Sequence, residues 1–206
     1  VESGFAPANQ LSTGDFAGHL ARNTHLSTDA ILAIASYGKL AGMRGNKKTE
    51  KKYFSAARKM ADEWMKLAND SDHYTLAFEK KNTWSQKYNL VWDEILGLNI
   101  FPKSVPQKEI NYYLTQQNEY GLPLDSRKSY TKSDWVFWTA TLAEDREDFE
   151  KLIAPIWKYA NDTNDRVPIS DWHETTNAKV MNFKARSVVG GYFIKLLEWK
   201  VLNERE

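Results

Sequence analysis

Apolar residues return at helical intervals along most of this chain, and the intervals mark out its elements. From Ser27 to Ala41, Ile31, Ile34, Ala35, Leu40 and Ala41 fall near one helical face, with Ser27 as the expected cap and Gly42 and Gly45 as the stop. From Lys48 to Ala68 the stripe is clearer: Tyr53, Phe54, Ala57, Met60, Ala61, Trp64 and Leu67 share a side, and Lys and Glu fill the other. These two helices form an expected antiparallel hairpin. Ser85 to Leu96 is apolar over most of its circumference, which predicts a deeply buried helix. Gly97 and Pro102 close it, and Pro106 opens a helix to about Asn118, completing a second hairpin. Trp135, Val136, Trp138, Thr139 and Leu142 begin a third pair, answered by Phe149, Leu152, Ile153, Ile156 and Trp157, with Pro155 expected to bend that partner or to lie near its first turn. Arg186 to Val201 reads as the last helix.

No segment alternates with the period of two that marks a strand. The expected fold class is therefore all-α, built as consecutive antiparallel helical hairpins. Such hairpins, set side by side, form an open solenoid or close into an (α/α) toroid whose loops surround a central cavity. Residues 1–13 lack periodicity and are expected to be an extended N-terminal segment, followed by a helical-hairpin domain over residues 14–206.

Three polar stretches interrupt the pattern. Asn118 to Trp138 runs NEYGLPLDSRKSYTKSDWVFW, in which Gly121 and Pro123 break any arriving helix. Thr131 and Asp134 have the spacing of a capping box for the helix that follows. The positive end of that helix would point at a loop holding Asp125, Arg127 and Lys132, where it favours either a substrate carboxylate or Asp125 itself. The simpler alternative is an Asp125–Arg127 ion pair that locks the loop. The second stretch, Gly14 to Ser27, carries Asp15, His19, Asn23 and His25, read as hydrogen-bonding groups rather than metal ligands because the histidines are out of phase on a helix. The third, Asn161 to Asn182, is long for a connection and contains Asp171, Trp172 and Glu174, which marks it as a functional loop. Asn89 and Asp93, four apart, place an amide and a carboxylate on one face of a buried element, and the burial of Asp93 demands a partner.

Composition narrows the chemistry. The 206 residues carry a net charge of +1 with both signs mixed throughout, which leaves no electrostatic footprint for nucleic acid or for an anionic membrane surface. No apolar run approaches the length of a membrane span, and no secretory leader is read at Val1. With no cysteine, a thiolate metal site and a cysteine nucleophile are both excluded; no metal and no cofactor are expected. Eight Trp within 13% aromatics suit a helix-packed core, and equally a carbohydrate-stacking cleft. Hydrolysis without cysteine requires a hydroxyl nucleophile with a base or a water activated by a carboxylate, and glycoside cleavage requires two carboxylates. The expected acid/base pair is Asp15 and Asp125. Arg127 and Lys132 would hold a substrate carboxylate or developing negative charge, with Trp172 walling the cleft and Glu174 and His19 as further contacts to a small-molecule substrate. Asp134 is expected to be the helix cap and Asp93 a buried structural acid.

The strings GDFAGH (Gly14 to His19), YNLVWDEILGLNIFP (Tyr88 to Pro102), NEYGLPLDSRKSYTKSDW (Asn118 to Trp135) and ARSVVGGYF (Ala185 to Phe193) together resemble the glutaminase A family, over roughly residues 14 to 197. Gly14 stands where the family pattern has an acid. The resemblance implies a helical toroid of the six-hairpin glycosidase kind, the C-terminal part of a larger protein with a β-rich domain upstream, and export to the periplasm, cell surface or medium. It implies conversion of L-glutamine to L-glutamate and ammonia. A glycoside hydrolase-like domain and a non-catalytic saccharide-binding or packing module remain as alternatives.

Overall fold

A computed structural model describes residues 2–8 and 16–204, and these residues are mostly helical. The N-terminal segment, expected to be extended, holds one helical turn, α1 (Glu2–Phe5), whose Phe5 ring stacks on Phe78 at 5.3 Å. Helix α2 (Thr24–Met43) begins three residues before the expected cap. The Asn23 side chain accepts hydrogen bonds from the backbone N–H of His25 (2.9 Å) and Leu26 (3.2 Å), leaving Ser27 buried inside the helix. Helix α3 (Lys47–Leu67) returns after a three-residue turn, with Asn46 accepting from Thr49 N–H at 3.1 Å. The two pack along their length, Ile31, Leu32 and Ala35 against Ala57, Met60, Ala61 and Trp64. Gly38 permits this approach, since a Cβ there would lie 3.0 Å from the Phe54 ring.

Strands β1 (Asn69–Asp70) and β2 (His73–Tyr74) form a two-residue antiparallel ladder after α3. The buried helix expected from Ser85 to Leu96 is shorter than its apolar pattern implied. Ser85 bridges Asp125 in extended conformation, and Gln86 is held by the loop ahead of β3: its backbone N–H donates to Leu124 O (3.0 Å) and its side chain to Leu122 O (3.2 Å) and Pro123 O (3.0 Å). Helical structure starts only with the 3-10 turn Tyr88–Leu90 and continues as α4 (Val91–Ile95), buried as expected at Leu90, Val91 and Ile95. Helix α5 (Ser104–Gln116) follows, with Pro106 in its first turn.

Strand β3 (Tyr130–Lys132) leads directly into α6 (Ser133–Thr141), and α7 (Arg146–Asp162) folds back on α6 with Pro155 inside it. The long loop after α7 is not structureless. It contributes β4 (Trp172–Glu174), antiparallel to β3 with Thr131 opposite His173. Strands of two or three residues are too short to show a period, so the strand-free expectation is corrected here. The last expected helix divides into a 3-10 segment, Ser187–Phe193, and α8 (Ile194–Asn203). Gly191 does allow the close approach expected of the glycine pair: a Cβ would lie 2.7 Å from Trp138 Nε1. Gly190 has open space beside it. Phe193, Leu196, Leu197 and Trp199 are exposed on this terminal segment. No helix is long and apolar enough to cross a membrane among the described residues.

Candidate active site

A cleft of about 340 Å³ opens where the first turns of α2, the extended Ser85–Gln86, the 3-10 turn, the loop before β3 and the start of α6 meet. His25, Asp29, Asn89, Asp125, Arg127 and Trp135 give it its chemistry. Because Asn23 starts α2 where it does, His25 and Asp29 stand four residues apart on one face of that helix. The Asn89 amide joins them, Nδ2 lying 2.8 Å from Asp29 Oδ1 and 3.2 Å from His25 Nε2. Burial pushes the Asp29 carboxyl up to about 6, and the hydrogen bond from Asn89 opposes that rise. Burial, with Lys87 nearby, lowers the His25 imidazole to about 3, so it is neutral at ordinary pH. The Tyr88 ring lies against His25 at 4.1 Å and stacks on Trp135 at 4.4 Å, closing the inner wall.

Asp125 is 4% exposed and receives three donors from one residue: Arg127 backbone N–H at 2.8 Å, Nε at 3.1 Å and Nη2 at 2.7 Å. Arg127 Nη1 reaches Gly18 O at 2.8 Å, so the ion pair also ties residues 16–20 to the cleft rim. Behind this wall sits fully buried Lys87, whose Nζ donates to Ser85 O (2.9 Å), Ser85 Oγ (3.0 Å) and Tyr74 O (3.4 Å) and lies 3.8 Å from Glu109 Oε2. Burial lowers the lysine, opposed by Glu109 and Asp125.

Of the site residues expected from sequence, the structure brings Asp125 and Arg127 to this cleft. Asp15 lies outside the described residues. His19 is exposed in the segment before α2 and does not line the cleft. Lys132 is a correction. It is 0% exposed, ion-paired with Asp171 and, at 3.3 Å, with Asp134, and its Nζ lies 5.2 Å from the ring centres of Phe16 and Trp135. The anion expected at the start of α6 is thus supplied by the protein's own carboxylates. Asp134 does not cap the helix either: it sits in the first turn of α6, and Thr131 Oγ1 accepts from Gln86 Nε2 at 3.2 Å. Trp172 does not wall the cleft, packing instead on Phe16 (5.1 Å), Tyr130 (5.4 Å) and Phe183 (5.4 Å). Glu174 accepts from Ser129 Oγ at 2.7 Å, away from the lining. Asp93 is the structural acid expected of it, although its partners are the backbone N–H groups of Ile100 (3.1 Å) and Phe101 (2.9 Å) rather than a cation.

Asp29 is the residue that sequence reasoning missed. The signal was the four-residue interval from His25, which has meaning only once Asn23 is read as the cap. Among the described residues no group of three or more His, Asp or Glu is arranged to hold a metal ion.

Comparison with known proteins places this geometry in a lineage. Residues 1–196 match the family described as "Glutaminase A six helical-hairpin domain". The chain is 34% identical over 206 residues to Glutaminase A of Aspergillus oryzae, an alignment covering 96% of this chain and 29% of that protein. It is 28% identical over 235 residues to a probable glutaminase of Arthroderma benhamiae, covering 98% and 27% respectively. The chain therefore spans less than a third of the length of these curated relatives. On a match that runs through all of its elements up to α8, the chain belongs to the glutaminase A six helical-hairpin domain family.

Proposed function

We propose that this domain carries a hydrolytic cleft of the glutaminase type, in which Asp29 is the acid/base group and Asp125, held by Arg127, is the second carboxylate. The observation that carries the reading is Asp29 itself: a carboxyl in a cleft wall, raised to about 6, with one oxygen held by Asn89. In this reading the Asp29 carboxylate takes a proton from water as the water oxygen adds to the side-chain amide carbon of L-glutamine. The carboxyl then returns the proton to the amide nitrogen, the C–N bond breaks, and ammonia and L-glutamate leave. The Asp15 and Asp125 pair expected from sequence gives way to Asp29 and Asp125 in this reading.

A glycosidase reading has its own support, because Asp29 and Asp125 share one cleft with Trp135, and two carboxylates beside an aromatic surface suit a sugar ring. One experiment separates the two. The chain, and any longer polypeptide that carries it, is offered L-glutamine and a panel of aryl glycosides, with Asp29→Asn and Asp125→Asn as variants. Ammonia release that falls about a hundredfold or more in Asp29→Asn supports the glutaminase reading, the size expected for a general acid/base group. Sugar release lost in the same variant transfers the site to glycosides. Ammonia release at the native rate by a folded Asp29→Asn protein would sink the assignment of Asp29.

The hairpins are further proposed to be one part of an (α/α) toroid with this cleft facing its cavity, completed by other segments of a longer polypeptide. The exposed apolar side chains of Phe193, Leu196, Leu197 and Trp199 support that reading, as does the greater length of the relatives. An upstream β-rich domain and export from the cytoplasm rest on the family resemblance.

A further inference from the structure

Asn89 stands between two acceptors. The carboxylate oxygen requires a donor, which orients the side-chain amide with Nδ2 towards Asp29; the same Nδ2, a donor only, lies 3.2 Å from His25 Nε2 and calls for an acceptor there. His25 Nε2 then accepts, which puts the imidazole hydrogen on Nδ1, a buried nitrogen with no hydrogen-bond partner among the described residues, so the tautomer is held from the Asn89 side alone. Asp29 Oδ1 is engaged at 2.8 Å, whereas Oδ2 has no hydrogen-bond partner among the described residues. Asn89 is itself fixed from below by the 3-10 turn in which it sits, next to Tyr88, whose ring is clamped between His25 and Trp135.

We propose that Asn89 is the positioning residue of this site, locking His25 in one tautomer and one oxygen of Asp29 in place, so that the other oxygen alone exchanges protons with the substrate. The proposal rests on Asp29 being the acid/base group. A histidine is the commoner proton carrier near neutral pH, but burial and Lys87 keep His25 neutral in this cleft. His25 is an immobile acceptor, and the proton traffic is confined to a single oxygen. Among the described residues, the ionisable groups lining the cleft with Asp29 are His25 on α2, Tyr88 from the segment entering α4, and Asp125 and Arg127 from the loop before β3, with Lys87 acting on His25 from behind; α6 brings Trp135 and Trp138 to the lining. The uncharged Asn89 touches Asp29 directly, and its removal withdraws a hydrogen bond that favours the charged carboxylate.

The test is Asn89→Leu, which deletes both donors while keeping the volume and the dryness of the wall. Carboxyl 13C and imidazole 15N NMR of the folded chain read Asp29 and His25 across pH 4 to 8, independently of turnover. The expected result is an Asp29 midpoint displaced upward by about half a pH unit or more, together with a His25 that no longer shows a single tautomer. In an active preparation the acid limb of kcat moves by the same amount as the midpoint, with KM little changed. An Asp29 midpoint and a His25 tautomer both unchanged in folded Asn89→Leu would overturn the proposal. A displaced midpoint beside full activity of Asp29→Asn would instead show that Asn89 holds Asp29 and His25 but that Asp29 is not the acid/base group, overturning the proposed function rather than the contact, so the two failures are distinguishable.

Discussion

At the scale of single residues, the cleft holds two groups whose protonation is displaced in opposite senses for stability. Asp29 is raised from 3.8 to about 6, so between those values the folded state binds the extra proton and stability falls as pH rises, levelling off above 6. His25 is lowered from 6.5 to about 3, so over that window the unfolded state binds the extra proton and stability is lost as pH falls. His173 is lowered to about 4 and acts in the same direction as His25; it is buried, with Nε2 at 2.8 Å from Tyr120 O and its ring 3.6 Å from that of Tyr159. Asp29 therefore offsets one histidine between about pH 4 and 6. Asp29→Asn removes the offset. The variant is expected to be more stable than the native chain at pH 7, by on the order of 2 kcal/mol, with the difference closing by about pH 4. Urea unfolding midpoints measured from pH 4 to 7 check this, and a difference that stays constant across that range would contradict it.

At the scale of elements, the site depends on where α2 begins. Had the helix started at Ser27, His25 would precede it and would share no face with Asp29. Asn23 fixes the start by capping two backbone N–H groups, and the Thr24 carbonyl, one residue on, accepts from Trp64 Nε1 at 2.8 Å and secures that end against α3. Asn23→Ala is expected to cost about 1 kcal/mol by thermal or urea unfolding. It is also expected to broaden the NMR signals of His25 and Asp29 more than those of α3, because the first turn of α2 carries both. Equal broadening in the two helices would mean that the cap holds the hairpin rather than the site. Helices with long one-sided stripes, α3 above all, were legible in the sequence because burial of one face leaves a period behind. Ser85–Lys87 was not, since these three residues are polar and buried through hydrogen bonds to distant segments, Gln86 to Leu122, Pro123 and Leu124 among them, which leave no period in the sequence. The pair β3 and β4 was equally hidden: forty-one residues separate Thr131 from its partner His173, with α6 and α7 between them.

At the scale of the whole molecule, one polar string in the sequence serves two separate purposes. Asp125 and Arg127 face the cleft, whereas Lys132, Asp134 and Asp171 form a buried ionic cluster that ties the start of α6 to the segment before β4, with Ser133 N–H donating to Asp171 O at 2.8 Å. Lys132→Met leaves two buried carboxylates with only the partly exposed Arg186, whose Nε lies 3.8 Å from Asp171 Oδ1, and is expected to destabilise the fold by about 3–5 kcal/mol in urea unfolding. A loss below about 1 kcal/mol would show that water already reaches the cluster. The sequence by itself determined the helical class and the structural role of Asp93, because these follow from period and the cost of burying a charge. Only the tertiary structure decided that Lys132 and Trp172 face inward and that Asp29, Asn89 and His25 converge. The direction of a side chain at an element's end depends on what packs there, and residues sixty positions apart leave no local pattern when they meet.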